Sequence, residues 1–181
     1  QVGSFDNGDG TLLIEGGDGV TAPGGVYIGA FGASTGTATI RDDGSSVANG
    51  QDFTLVGFSG ATGTLLIENG ASLINDAAAV TPSFGQLQIG NGGTGRVDLL
   101  SGGSFVLDRS SQQVSAAVGI GLGNVDPTTG IGIGDGQLNI NGGGSSLDVL
   151  GSQASIFVGG IATQGNGTGL LTIGNGGRAT I

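Results

Sequence analysis

Apolar residues recur at every second position over short stretches of this chain, and no stretch shows helical spacing. The clearest stretches follow a glycine. Six of them align: GTLLI from Gly10 to Ile14, GTATI from Gly36 to Ile40, GTLLI from Gly63 to Ile67, GRVDL from Gly95 to Leu99, GQLNI from Gly136 to Ile140 and GLLTI from Gly169 to Ile173. The second residue after each glycine is Leu12, Ala38, Leu65, Val97, Leu138 or Leu171, and the fourth is Ile14, Ile40, Ile67, Leu99, Ile140 or Ile173. All are apolar, whereas the first and third positions are mixed. Side chains of a strand alternate between its faces, so the pattern predicts six strands with positions two and four turned to a core.

More strands surround each of these. A second glycine follows (Gly17, Gly44, Gly70, Gly102, Gly143 and Gly176), and then another apolar alternation such as SSVAN, ASLIN, SFVLD or SSLDVL. A further strand ending in glycine precedes most copies, as in VYIG at Val26, FTLVG at Phe53, LQIG at Leu87 and IFVG at Ile156. Each unit therefore reads as three short strands. The turns come in two lengths, since RDDGSSV and NGGGSSL hold one residue more than ENGASL. The aligned glycines are 26, 27, 32, 41 and 33 residues apart, a spacing that marks solenoids and arrays. Seven Asn-Gly dipeptides would also suit hairpin turns in an antiparallel sandwich or barrel. A sandwich, however, does not need its strands to be copies of one another, and a solenoid does, because each coil buries the same positions against the next. The expected fold is all-β: a parallel β-helix of about six coils over residues 1–181, with insertion loops near 74–85 and 119–134.

Composition supports a folded chain. Glycine supplies 43 of 181 residues, but proline only 3, and 36% of residues are apolar, which separates the chain from disordered glycine-rich linkers. The net charge is −10, with 14 acids against 4 arginines. Such a surface disfavours nucleic acid and anionic membrane, and no apolar run reaches the length of a membrane span. Cysteine and histidine are absent and no lysine occurs, which removes Ser-His triads, thiol nucleophiles, Schiff bases and ordinary zinc sites.

The stretches VYIGAFGASTGTATIRDDGSSV and LQIGNGGTGRVDLLSGGSFVL resemble the passenger repeats of bacterial autotransporters. That resemblance covers about 150 residues between Val2 and Ile181, and it implies a right-handed helix and a location outside the cell, on the bacterial surface. Such passengers include adhesins, biofilm factors and enzymes. The aromatic residue common at the close of those repeats is replaced here by Val47 and Leu147. The implied role is a structural or adhesive extracellular rod or filament subunit, without catalysis. Its partners would be further copies end to end, the rest of a longer rod, or a host or matrix polysaccharide. A carbohydrate-active enzyme and a calcium-stabilised module are the alternatives. QVGS at the start matches the second half of an IG strand and GRATI at the end lies midway through a unit, so neither end reads as a polar cap.

Candidate chemistry is sparse. Catalytic and cofactor-binding residues are expected to be none. For metal, Asp42 and Asp43 stand at a turn with Glu15 and Glu68 on adjoining coils, a possible partial oxygen set for Ca²⁺, although the calcium-binding nonapeptide does not occur. Glu15, Arg41 and Glu68 should form a charge ladder. Asp98 and the Asp126/Asp135 region are the loose candidates for a carboxylate pair acting on sugars, with Arg96 beside Asp98. Asp126-Pro127 reads first as a turn. GNGGTG at Gly90–Gly95 fits a dinucleotide fingerprint, but a strand follows it instead of a helix.

Overall fold

A computed structural model of the chain describes residues 1–4, 8–50, 53–76, 87–110, 115–123, 133–160 and 167–181. Eighteen strands wind in six coils of three. The first coil holds β1 (Val2–Ser4), β2 (Asp9–Ile14) and β3 (Gly19–Ala22), and the second holds β4 (Val26–Ala30), β5 (Thr35–Arg41) and β6 (Ser46–Asn49). The third holds β7 (Thr54–Phe58), β8 (Thr62–Glu68) and β9 (Ser72–Asn75), and the fourth holds β10 (Leu87–Asn91), β11 (Thr94–Leu100) and β12 (Ser104–Asp108). The fifth holds β13 (Ala117–Ile120), β14 (Gly134–Asn141) and β15 (Ser146–Leu150), and the sixth holds β16 (Ser155–Val158), β17 (Gly167–Gly174) and β18 (Arg178–Thr180). First, second and third strands of successive coils stack into three separate parallel sheets, A, B and C, of six strands each. The fold is a parallel β-helix, and the antiparallel sandwich is excluded.

The six aligned glycines lie in register on sheet B, Gly10 beside Gly36, Gly63, Gly95, Gly136 and Gly169 in turn. Positions two and four after them point inward. Leu65, Ile67, Val97, Leu99 and Ile140 are fully buried, in one core with Ile28, Val56 and Ile89 from sheet A and Leu73, Phe105 and Leu147 from sheet C. Each such side chain removed from water stabilises the fold by about 1.5–3 kcal/mol. The end coils differ from the sequence expectation. Leu12 and Leu171 are only partly buried, and Ile173 is 47% exposed, because no coil lies over them.

The chain turns from sheet B to sheet C in two ways. In the third coil Asn69 and Gly70 have φ of +56° and +83°, and the Ala71 amide donates to the Glu68 carbonyl at 3.2 Å. Two central residues of positive φ closed by that bond are the signature of a type I′ turn, which Asn-Gly suits. The turn ordinarily folds a hairpin back on itself. Here it bends a coil between two parallel sheets. The longer turns of the second and fifth coils insert Ser45 and Ser145, both buried. Their hydroxyls accept the amides of Gly17 and Gly102 on the preceding coils at 3.0 and 3.1 Å.

Sheets A and B meet backbone to backbone. Gly29 has φ +57°, and a Cβ on it would lie 1.9 Å from the Thr62 carbonyl oxygen of the next coil. A Cβ on Gly63 would lie 2.2 Å from the Ile28 carbonyl oxygen and 2.3 Å from the Gly57 nitrogen. Real Cβ atoms do not approach so closely, so the glycine closing the sheet-A strand (Gly29, Gly57, Gly90, Gly121) and the aligned glycine of sheet B (Gly36, Gly63, Gly95, Gly136) are two halves of one contact. The expected insertions narrow accordingly. Ile74 and Asn75 end β9, and Gly119 and Ile120 belong to β13, in register with Gln88 and Ile89. Gly134 begins β14, and within these loops residues 77–85 and 124–132 lie outside the described residues. Gly119 broke the strand pattern by replacing an outward side chain. The space a Cβ would take there is filled by Leu122, whose Cδ1 would be 2.3 Å away.

Candidate functional site

The polar chemistry of this chain lies on the outer faces, where a parallel ladder sets every second side chain beside its equivalent on the next coil. On sheet B the residue after each core Ile or Leu forms a column of Glu15, Arg41, Glu68, Leu100, Asn141 and Gly174. Arg41 donates through Nε to Glu15 Oε2 at 2.7 Å, and through Nη2 to the same oxygen. That bond, and then the charge of Glu15, raises the guanidinium pKa above its usual value. Glu68 pairs in register with Arg41 and adds only its charge. The expected ladder is therefore a pair with a charged neighbour.

The oxygens proposed for calcium are spread across separate tasks. Glu15 is taken by Arg41. Asp42 Oδ2 accepts the amide of Gly16 on the preceding coil at 3.1 Å. Asp43 lies against Gly70 of the following coil. Among the described residues no three acidic side chains gather as a metal-binding group.

Arg96 and Asp98 stand two residues apart on β11, hence on the same face. Arg96 Nε and Nη2 donate to the two Asp98 oxygens at 2.6 and 2.8 Å, a bidentate pair that raises the Arg96 pKa. Asn139 Nδ2, on the next coil, donates to Asp98 Oδ1 at 3.2 Å. Asp98 is only 8% exposed, covered by these partners. Asp135 does not join it. Asp135 faces Thr94, four residues along β11 from Asp98, which sets them about 13 Å apart along the strands. A glycosidase needs about 5–10 Å. Asp126 lies outside the described residues. GNGGTG runs from β10 directly into β11, so no helix N-terminus stands behind it to hold a phosphate.

Two polar groups escaped the sequence reading. On sheet C, Asp148 accepts from Arg178 of the next coil at 3.2 Å and from Ser146 Oγ at 3.1 Å. The ladder sets Arg178 beside Ser146, so this pair runs diagonally, two residues along the strand. Arg109, just beyond β12, is 1% exposed, and its amide donates to the Leu150 carbonyl at 2.7 Å. Nothing in the sequence distinguishes it from a surface arginine. Arg41, Arg96 and Arg178 are thus each bound to a carboxylate. What this arrangement does chemically is brace neighbouring coils: each pair except Arg96–Asp98 joins one coil to the next. No helix of the described chain is long and apolar enough to cross a membrane. The chain has no significant match among family models, curated proteins or solved structures.

Proposed function

We propose that this chain is a structural element of an extracellular bacterial surface rod, working as a stiff shaft and not as a catalyst. The observation that carries the reading is the unbroken register of three parallel sheets through six coils, with the arginines of the outer walls bound to carboxylates. A stack of this kind is rigid because each coil is buried by its neighbours and braced by axial hydrogen bonds. Its placement outside the cell rests on the resemblance of the repeats to autotransporter passengers. The carbohydrate-active alternative is weaker, since Asp98 is held by Arg96 and stands far from Asp135.

The test uses intact producing cells, treated with a protease that cannot enter them and labelled with antibody against this chain. Surface label that is lost on proteolysis supports the reading. Label found only after the cells are opened overturns it. Incubation of the purified chain with a panel of acidic and neutral polysaccharides, followed for new reducing ends, adds a second check. Turnover there would reject the non-catalytic role.

A further inference from the structure

The seven asparagines that precede a glycine share one chemical liability. The glycine nitrogen can attack the side-chain carbonyl carbon of the asparagine, because the glycine has no Cβ to hinder the approach. Closing that five-membered ring needs a side chain free to turn, a glycine amide held by no acceptor, and access to water. Asn7 and Asn166 lie outside the described residues. The other five pairs meet these needs very unequally.

Four of them are blocked. Asn49 is 2% exposed and held through Nδ2 by the Phe53 carbonyl and Thr54 Oγ1, and the Gly50 amide donates to the Ala22 carbonyl at 3.1 Å. Asn91 is 7% exposed, its Nδ2 donates to Gln88 Oε1 at 2.6 Å, and the Gly92 amide donates to the Leu122 carbonyl at 2.9 Å. Asn175 Nδ2 donates to Asn141 Oδ1 at 2.7 Å, which holds both of those side chains. The Gly142 amide also donates to the Gly174 carbonyl at 3.3 Å.

Asn69-Gly70 is not blocked. Both residues are exposed, in the type I′ turn of the third coil. The bond that closes this turn runs from the Ala71 amide to the Glu68 carbonyl and uses neither of them. Among the described residues the Asn69 side chain makes no hydrogen bond, and the Gly70 amide donates to no acceptor. The cause lies one coil on. At the same place in the first and fourth coils, the amides of Gly17 and Gly102 are captured by Ser45 and Ser145, which the longer turns of the following coils insert. The coil that follows the third has a short turn, Ser101-Gly102-Gly103, with no inserted serine. Gly102 puts no side chain over the Gly70 nitrogen, which a Cβ there would reach at 3.5 Å. Asparagine and glycine occupy this turn because both accept positive φ, so the residues that build the corner are also the reactive pair.

From this geometry we infer that Asn69 is a site of spontaneous covalent modification in the folded protein. The Gly70 nitrogen bonds to Asn69 Cγ and gives its proton to solvent, Nδ2 leaves as ammonia, and a succinimide remains. Water then opens the ring at one of its two carbonyls. The product is aspartate, or isoaspartate in which the main chain runs through Cβ and is one carbon longer. In sum one water is taken up, one ammonia is released, and the net charge of −10 gains one negative charge. The new carboxylate enters acidic surroundings. It follows Glu68, whose ladder neighbour Arg41 is followed by Asp42, and Asp43 Oδ1 stands 3.2 Å from the Cβ position of Gly70. Like charges on adjoining strands repel, so the third coil weakens as the folded protein ages.

The experiment incubates the purified, folded chain in warm, mildly alkaline buffer and follows it by tryptic mapping. Arg41 and Arg96 bound one tryptic peptide that contains Asn49, Asn69 and Asn91, so fragmentation compares all three in the same molecule. Asn69 should gain one mass unit about tenfold or more faster than Asn49 and Asn91, which react only through opening of the coil. Part of the product should accept a methyl group from an isoaspartyl methyltransferase, and the rate should rise with pH. In concentrated urea the three sites should react at similar rates. Native-state hydrogen exchange should find the Gly70 amide unprotected and those of Gly50 and Gly92 protected.

Asn69→Ser places in the third coil the residue that the fourth uses at Ser101, which also has positive φ. It should remove the fast site and leave the urea midpoint unchanged. Asn49 or Asn91 reacting as fast as Asn69 in the folded chain overturns the inference. So does a folded chain in which Asn69 stays intact while the unfolded chain reacts there, and so does a protected Gly70 amide. None of these results bears on the surface-rod reading, whose cell-labelling test is independent of them.

Discussion

The corner between sheets A and B and the corner between sheets C and A are built on opposite terms. At the A–B corner the connection varies from the two residues between Asn91 and Thr94 to the thirteen between Ile120 and Gly134. The contact nevertheless repeats in the fifth coil as in the second: Cβ atoms on Gly121 and Gly136 would lie 1.9 Å from the Thr168 oxygen and 2.2 Å from the Gly121 nitrogen. At the C–A corner no such pair exists among the described residues. Pro23-Gly24-Gly25 crosses it in the first coil, and Gly24 has no atom within 4 Å of a Cβ position. Connection length therefore does not set the register of this solenoid. A backbone contact just inside the corner does, and chain can be added beyond it at the modest entropy of a longer loop.

The comparison breaks most visibly by substituting one glycine at each corner. Gly63→Ala should abolish cooperative folding, a loss above about 4 kcal/mol, because two rigid backbone atoms must move. Gly24→Ala should stay within about 0.5 kcal/mol of the natural chain in urea unfolding. If both substitutions were tolerated, the contact could not be what sets the register.

Two asparagines in one column sharpen the picture of the C–A corner. Asn49 is buried and donates to the Phe53 carbonyl at 2.9 Å and to Thr54 Oγ1 at 3.1 Å. Asn75, its ladder neighbour, is equally buried, with no partner for its amide among the described residues. Asn49→Leu should cost about 1–3 kcal/mol, while Asn75→Leu should leave stability unchanged or raise it by about 1 kcal/mol. Equal losses in the two urea midpoints would show that the column acts as a unit. Of smaller size, Ser45→Ala removes the acceptor of the Gly17 amide and should cost about 1 kcal/mol.

The smallest effect concerns pH. Asp108 opens the C–A corner of the fourth coil, and the Ser110 hydroxyl and then its amide, at 2.6 and 2.9 Å, hold its pKa below the ordinary 3.8. A depressed carboxyl stabilises the fold above its unfolded pKa and loses that contribution as pH falls through the folded value. Ser110→Ala should therefore raise the Asp108 pKa toward 3.8, read by NMR titration, and shift acid unfolding slightly to higher pH.

Much of this fold was legible in the sequence because burial repeats with the period of the coil. Leu65 and Ile67 could be placed in the core from alternation alone, and the two turn lengths were visible in ENGASL and RDDGSSV. The strand Ala117–Ile120 was hidden because Gly119 stands where an outward side chain would keep the alternation, and the side chain that fills its space, Leu122, lies three residues on. The glycine contact was visible as letters without a cause, since it depends on how close two sheets come and alternation does not report that. Of the candidate chemistry, Glu15–Arg41 followed from register. The scattering of Asp42, Asp43 and Glu68 did not, because each found a partner or neighbour on a different coil.

The ladder bonds between strands all run along the axis of the solenoid, and the chain enters at one end and leaves at the other. Tension on the two ends therefore peels the outermost coil instead of shearing a sheet. A coil raises the axis by about 4.8 Å while folded. Pulled straight, a 27-residue coil such as that between Gly36 and Gly63 spans roughly 90 Å. Under load the solenoid would lengthen in discrete steps, one coil at a time, each releasing far more length than the coil contributes while folded.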